Sequence, residues 1–127
     1  MKFFPYQRNS AGDSFPIIDI FVSRANHIAR IFALIDSGAT VSVFKEEVAK
    51  QLGIDIEKGK IIHLGGVGGH IKGYLHELKI EVADKQFLFP VVFSREYLVS
   101  FNLLGREAVF KQFRIIFEEK KNRLKLE

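Results

Sequence analysis

The chain has 127 residues, 47% of them hydrophobic and thirteen of them Phe, enough to bury an ordinary core and too apolar for a disordered chain. A formal net charge of +4 raises a nucleic-acid reading, but the Lys and Arg are scattered and the densest group, Lys120, Lys121 and Arg123, sits beside Glu118 and Glu119 as a solvated turn. The absence of Cys excludes a disulfide framework, a thiol nucleophile and a Cys-ligated metal.

In chain order, residues 1–15 carry Pro5, Asn9, Ser10, Gly12 and Asp13 and read as an irregular lead-in. Pro16 to Val22 and Ile28 to Ile35 are β-rich runs, and Ser23 to His27 between them reads as a hairpin turn. Ser42 caps a predicted short helix running to about Leu52: Glu46 and Glu47 suit its first turn, Phe44, Val48 and Leu52 share one face, and Gly53 stops it. Strands are expected near Lys60–Leu64 and from Ile71 to Val82, where Leu78, Ile80 and Val82 alternate with Glu77, Lys79 and Glu81. After a turn at Ala83-Asp84-Lys85, Phe87–Phe93 is apolar on both faces and so central, with Pro90 signalling a bulge or an edge. Phe101 to Gly105 is a second apolar run, and a short helix is predicted from Arg106 to about Gln112. Phe113–Phe117 and Arg123–Leu126 close the chain as strands around a charged turn. One domain, mainly β with two short helices, is the expectation.

Two stretches carry chemistry. From Ala33 to Phe44 a buried run ends abruptly in Asp36-Ser37-Gly38 and then turns apolar again, with hydroxyls at Thr40 and Ser42. A carboxylate directly after a buried strand is costly to ionise without support, and Gly38 and Ser37 allow a tight turn and a local hydrogen bond. That is the build of a carboxylate at the bottom of a cleft, or, more simply, of a turn residue. In Leu64-Gly65-Gly66-Val67-Gly68-Gly69-His70, four glycines surround one Val between two strands. The run reads as a hairpin tip, whose bare backbone suits close approach to a ligand. A phosphate cradle is excluded, because neither a helix pattern nor a Lys-Ser/Thr pair follows the glycines.

Together these stretches resemble the retropepsins, the retroviral-type aspartic proteases. Asp36-Ser37-Gly38-Ala39 is similar to their Asp-Thr/Ser-Gly-Ala, Leu64 to Gly73 to their flap, and Phe101-Asn102-Leu103-Leu104-Gly105-Arg106 to their hydrophobic pair, Gly and Arg before a helix. The motifs come in the family's order and span roughly Ile28 to Phe117. The resemblance implies a closed β-barrel of the acid-protease type, with an active site formed at a homodimer interface. Asp36 would be the catalytic residue, facing Asp36 of a second copy. Ser37 would bond across the dimer beneath the carboxylates, with Gly38 and Ala39 supporting the pair. Thr40 would pair with substrate backbone, and Gly65, Gly66 and Val67 would cover the peptide. Val43, Phe101 and Leu103 would wall the side-chain pockets, with Gly105 and Arg106 as structural neighbours. Thr40 stands where retropepsins commonly have an Asp that pairs with the Arg, so only a hydroxyl faces Arg106.

The implied activity is aspartic endopeptidase chemistry on a peptide or protein substrate, with no cofactor and no metal. The alternative is an inactive retropepsin-like module that binds peptides or dimerises, since fold does not guarantee activity. His27, His63, His70 and His76 fit no common ligand spacing and read as surface residues, and the Phe residues read as core. No apolar run reaches the length of a signal peptide or membrane span, so the expectation is a cytoplasmic protein without membrane or nucleic-acid partners.

Overall fold

A computed structural model of the chain describes residues 1–66 and 69–127. Residues 1–15 depart from the expected irregular lead-in. Strand β1 (Lys2–Pro5) pairs with the C-terminal strand, and β2 (Gln7–Arg8) pairs with β3 (Ser14–Phe15). The turn residues that suggested a loop make the β2–β3 connection instead. Asn9 Oδ1 accepts from the Ala11 and Asp13 N–H groups at 3.0 and 2.9 Å.

The next strands are β4 (Ile17–Arg24) and β5 (His27–Ile35), an antiparallel hairpin in unbroken register from Ile17↔Leu34 to Arg24↔His27. They are followed by β6 (Ser42–Phe44), helix α1 (Glu46–Gln51) and a 3-10 turn at Ile56–Lys58. Then come β7 (Lys60–Gly66), β8 (Gly69–Val82), β9 (Lys85–Phe93) and β10 (Asn102–Leu104). A 3-10 turn at Val109–Lys111 leads to β11 (Ile115–Glu118), a further 3-10 turn at Glu119–Lys121, and β12 (Arg123–Leu126).

Strands β4, β5, β10, β6, β9 and β8 lie side by side in that order, and β8 pairs back to β4, which closes a barrel. β10 runs parallel to β5 and antiparallel to β6. β7 leaves the barrel as a hairpin with the first half of β8, in register from Lys60↔Leu75 to Gly66↔Gly69. A separate sheet, ordered β1-β12-β11, ties the two termini together. Alternation sends Ile18, Ile20 and Val22 of β4 inward against Leu78, Ile80 and Val82 of β8. The rings of Phe44, Phe89 and Phe93 pack at 5.7 and 6.3 Å at the centre of the core. β9 is central, buried on both sides at Val91, Val92 and Phe93. Pro90 lies one residue before the stretch where β9 also pairs β6, so its missing donor falls where that second ladder has not begun.

Both predicted helices are shorter than expected, for reasons visible in the hydrogen bonding. Ser42 does not cap α1. It is a fully buried strand residue whose Oγ accepts the Gly105 N–H at 3.1 Å, and α1 starts only at Glu46. The helix expected from Arg106 to Gln112 shrinks to one 3-10 turn. The N–H groups of Arg106 and Glu107 bond the Ala39 and Thr40 carbonyls, as the free donors of a helix start can, but Ala108 leaves helical geometry at φ −111° and ψ −110°, so the run does not continue as one helix. His76 is likewise not at the surface. It continues the inward row of β8, where Nε2 donates to the Ile56 carbonyl at 2.9 Å and Nδ1 faces the Arg24 guanidinium at 3.5 Å. Among the described residues no helix is long and apolar enough to cross a membrane.

Candidate active site

Strand β5 buries Ile35 and then releases the chain at Asp36, which is half-buried. The Asp36 N–H donates to the Leu104 carbonyl at 3.0 Å, so the end of β5 is pinned to β10. The turn that follows folds back on Asp36 itself. Gly38 N–H donates to Asp36 Oδ1 at 2.9 Å, and Ala39 N–H to the Asp36 carbonyl at 3.2 Å. A backbone donor aimed at the carboxylate supplies the support that its position after a buried strand requires.

The second apolar run braces this turn from behind. Arg106 N–H donates to the Ala39 carbonyl at 2.8 Å and Glu107 N–H to the Thr40 carbonyl at 2.9 Å. Gly105 permits that approach, since a Cβ there would lie 2.6 Å from the Val41 carbonyl oxygen and 2.8 Å from that of Ala39. The Arg106 guanidinium reaches Thr40 Oγ1 at 3.3 Å, so the hydroxyl at Thr40 takes its Nη2. Asn102 adds a lateral tie, donating to the Phe32 carbonyl at 3.0 Å and accepting from the Lys45 N–H at 2.8 Å.

Asp36, Gly38 and Ala39 open on a cavity of about 520 Å³. Leu64, Gly65, Gly69 and Ile71 of the β7–β8 hairpin line another side, and the loop from Glu96 to Val99 together with Leu103 lines a third. A neighbouring hollow of about 340 Å³ shares Gly38, Ala39 and Gly65 and adds Thr40, Val43 and His63. Asp36, Gly38, Ala39, Gly65 and Leu103 therefore meet around one space, with Thr40 and Val43 beside it. Ser37 is exposed in the turn, and Gly66 ends β7 opposite Gly69. Val67 lies outside the described residues.

Phe101 is the exception. It does not line the Asp36 cavity but packs on Phe15 at 5.2 Å between centroids, in a separate groove with Phe32 and Leu34. It precedes β10, so the alternation that directs Leu103 does not govern it, and its partner comes from β3, in the segment expected to be irregular.

The Glu96–Val99 wall is the part that sequence reasoning missed. Its only signal was a short apolar run, Tyr97-Leu98-Val99, between two strands. Tyr97 is half-buried, and its hydroxyl donates to the Phe101 carbonyl at 2.6 Å, closing the loop on itself. Burial first, and the Asp36 carboxylate second, push its phenol up to about 12, so it stays a neutral donor at any working pH. The loop is also tied to β8, because Ser94 Oγ donates to the Lys72 carbonyl at 2.5 Å and the Lys72 N–H donates to Glu96 Oε2 at 3.2 Å.

Comparison with known proteins agrees with this architecture. A retropepsin-like aspartic protease from Rickettsia conorii matches with a TM-score of 0.74 at 22% identity, over 98% of this chain and 89% of that one. EIAV protease, solved in complex with the inhibitor HBY-793, matches with a TM-score of 0.62 at 18% identity, over 77% of this chain and 88% of that one. The closed barrel with its glycine hairpin is thus a retropepsin-like acid-protease fold. The family model described as aspartyl protease matches residues 26–108, which take in Asp36, the hairpin and the Asn102–Arg106 run. The chain belongs to the aspartyl protease family and has a retropepsin-like fold. No curated protein matches it closely enough to count as a relative.

Proposed function

We propose that the protein is an aspartic endopeptidase whose catalytic dyad is made of Asp36 from two copies of the chain. The observation that carries this reading is Asp36 itself. It is fixed on both sides by backbone hydrogen bonds and opens, with one donor on its carboxylate, into a largely apolar cavity beneath a glycine hairpin. Two carboxylates a few ångströms apart cannot both ionise cheaply, so the pair holds one proton. The ionised member takes a proton from a water placed between them, and that water attacks the peptide carbonyl. The protonated member donates to the oxygen on which charge develops.

An extended peptide suits this space. The Gly38 carbonyl and the Thr40 N–H would offer one backbone edge beside Ala39, Gly65 and Gly66 another, and Leu103 and Val43 apolar walls. Ser37 is exposed beside Asp36, and its hydroxyl would bond across to the second copy. A peptide-library digestion by wild type and Asp36→Ala side by side tests the reading. Cleavage by wild type should fall by at least about a hundredfold in the variant. Peptides that bind both proteins and are cut by neither would instead identify an inactive peptide-binding module, the reading encouraged by Thr40 meeting Arg106 without a charge.

A further inference from the structure

The ionisable groups around the cavity are unevenly assigned. Among its described lining residues are two carboxylates, Asp36 and Glu96, and no cation. The mechanism uses Asp36 and leaves Glu96 without a role. Glu96 is exposed and, among the described residues, accepts only the Lys72 N–H, through Oε2. The two cations beside it in sequence and register are engaged elsewhere. Arg95 forks onto Glu57 with both contacts at 2.8 Å and reaches Glu46 at 3.0 Å. The Lys72 ammonium lies over the Tyr74 ring at 5.7 Å and makes no ion pair among the described residues. Glu96 thus lines the cavity with its carboxylate held by a backbone donor and with no ion pair among the described residues. The apolar side chains lining the same cavity include Ile71 and Leu103.

We infer that Glu96 selects a basic side chain in the peptide held by this cleft. A Lys or Arg lays its aliphatic stem along apolar surface while its charged head stays at the wet rim, which matches a cavity lined by both apolar side chains and a carboxylate. A Leu would use the apolar lining but leave Glu96 solvated, and a Glu would meet a like charge. The selectivity is electrostatic and rim-exposed, so it is modest and salt-dependent: about fivefold at low ionic strength, shrinking as salt is added. This inference rests on the cleft of the proposed peptidase holding a peptide, and it does not need the chemistry to proceed.

The test uses peptides identical except for Leu, Lys or Glu at each position near the cut. Their binding is measured by fluorescence anisotropy to Asp36→Asn protein, with and without Glu96→Gln, and their cleavage is measured with wild type. Gln keeps an acceptor for the Lys72 N–H, so the loop stays tied. Support is a Lys peptide that binds about fivefold tighter than its Leu counterpart at one position, with the margin lost in Glu96→Gln and in high salt. Equal binding of the Leu and Lys series, a preference surviving Glu96→Gln, or no binding of any peptide overturns the inference. So does a Glu96→Gln protein whose sedimentation changes while its selectivity does not, since the cation would then belong to the second copy. Lys-selective binding without cleavage would sink the peptidase reading alone. Cleavage without Lys selectivity would sink this one alone.

Discussion

The Asp36 carboxylate has one hydrogen bond among the described residues, from Gly38 N–H at 2.9 Å. Ala39 contributes only backbone: its N–H goes to the Asp36 carbonyl and its own carbonyl accepts from Arg106. Pepsin-like enzymes usually place a Ser or Thr at that position, whose hydroxyl can bond the carboxylate and favour its charged form. Ala39→Ser adds such a donor. A donor to the anion makes the carboxylate easier to ionise, so the acid limb of the kcat/KM profile should move to lower pH. The alkaline limb should follow, because both belong to one coupled pair. A pH–rate profile on one peptide checks this, and displacement toward alkali would show that another group governs the dyad. Gly105 lends itself to a sharper test of geometry. A methyl group there meets two carbonyl oxygens at 2.6 and 2.8 Å, and overpacking of that kind costs about 1–3 kcal/mol. Gly105→Ala should lower the denaturation midpoint and slow cleavage together, since the crowded carbonyls belong to the Asp36 turn.

At the scale of elements, the site depends on β6 and β10 staying in contact, and their paired register is short, Leu103↔Val43. Ser42 Oγ adds to it by accepting the Gly105 N–H inside the core, with Ser42 fully buried. Ser42→Ala leaves that N–H buried without a partner, at a cost of about 2 kcal/mol, readable as a shift in urea midpoint with an unchanged slope. A midpoint within error of wild type would mean that the contact is dispensable. Ser42 also shows where sequence reading stops. As a hydroxyl ahead of Glu46 and Glu47 it looks like a helix cap, and only the tertiary partner Gly105 reveals a strand residue. The hairpins and the alternating strands were legible because strand periodicity is local. The helix expected after Arg106 was not, because the backbone leaves helical geometry at Ala108, where the preceding residues are tied to the Ala39 and Thr40 carbonyls far back in the chain. Asp36 and the glycine hairpin could be read directly from their motifs. The Glu96–Val99 wall could not, since nothing in a short loop says which cavity it will face. His76 was legible in principle, two residues before the inward row of Leu78, Ile80 and Val82.

At the scale of the molecule, the termini bear on how two copies could meet. β1 pairs with β12 of the same chain from Lys2↔Leu126 to Pro5↔Arg123, and β12 pairs with β11, so the terminal strands already form a sheet within one copy. That sheet keeps β1 and β11 as edge strands, and in any dimer that builds the dyad the rim of the Asp36 cavity must face the second copy if the carboxylates are to approach. Leu98 is 92% exposed and Val99 48% exposed on that rim, an apolar pair that water alone covers in one copy. We expect Leu98 to be a contact between copies. Leu98→Lys changes a side chain that touches almost nothing in the single chain, so its effect on stability at high dilution should stay within about 0.5 kcal/mol. In the dimer it places a charge in an apolar contact, so sedimentation should show weaker self-association. Specific activity should then rise more steeply with protein concentration than in wild type, and saturate later. Unchanged sedimentation with a raised KM would assign Leu98 to the substrate instead. A wild-type protein that stays monomeric, with specific activity unaffected by dilution, would remove the two-copy dyad altogether.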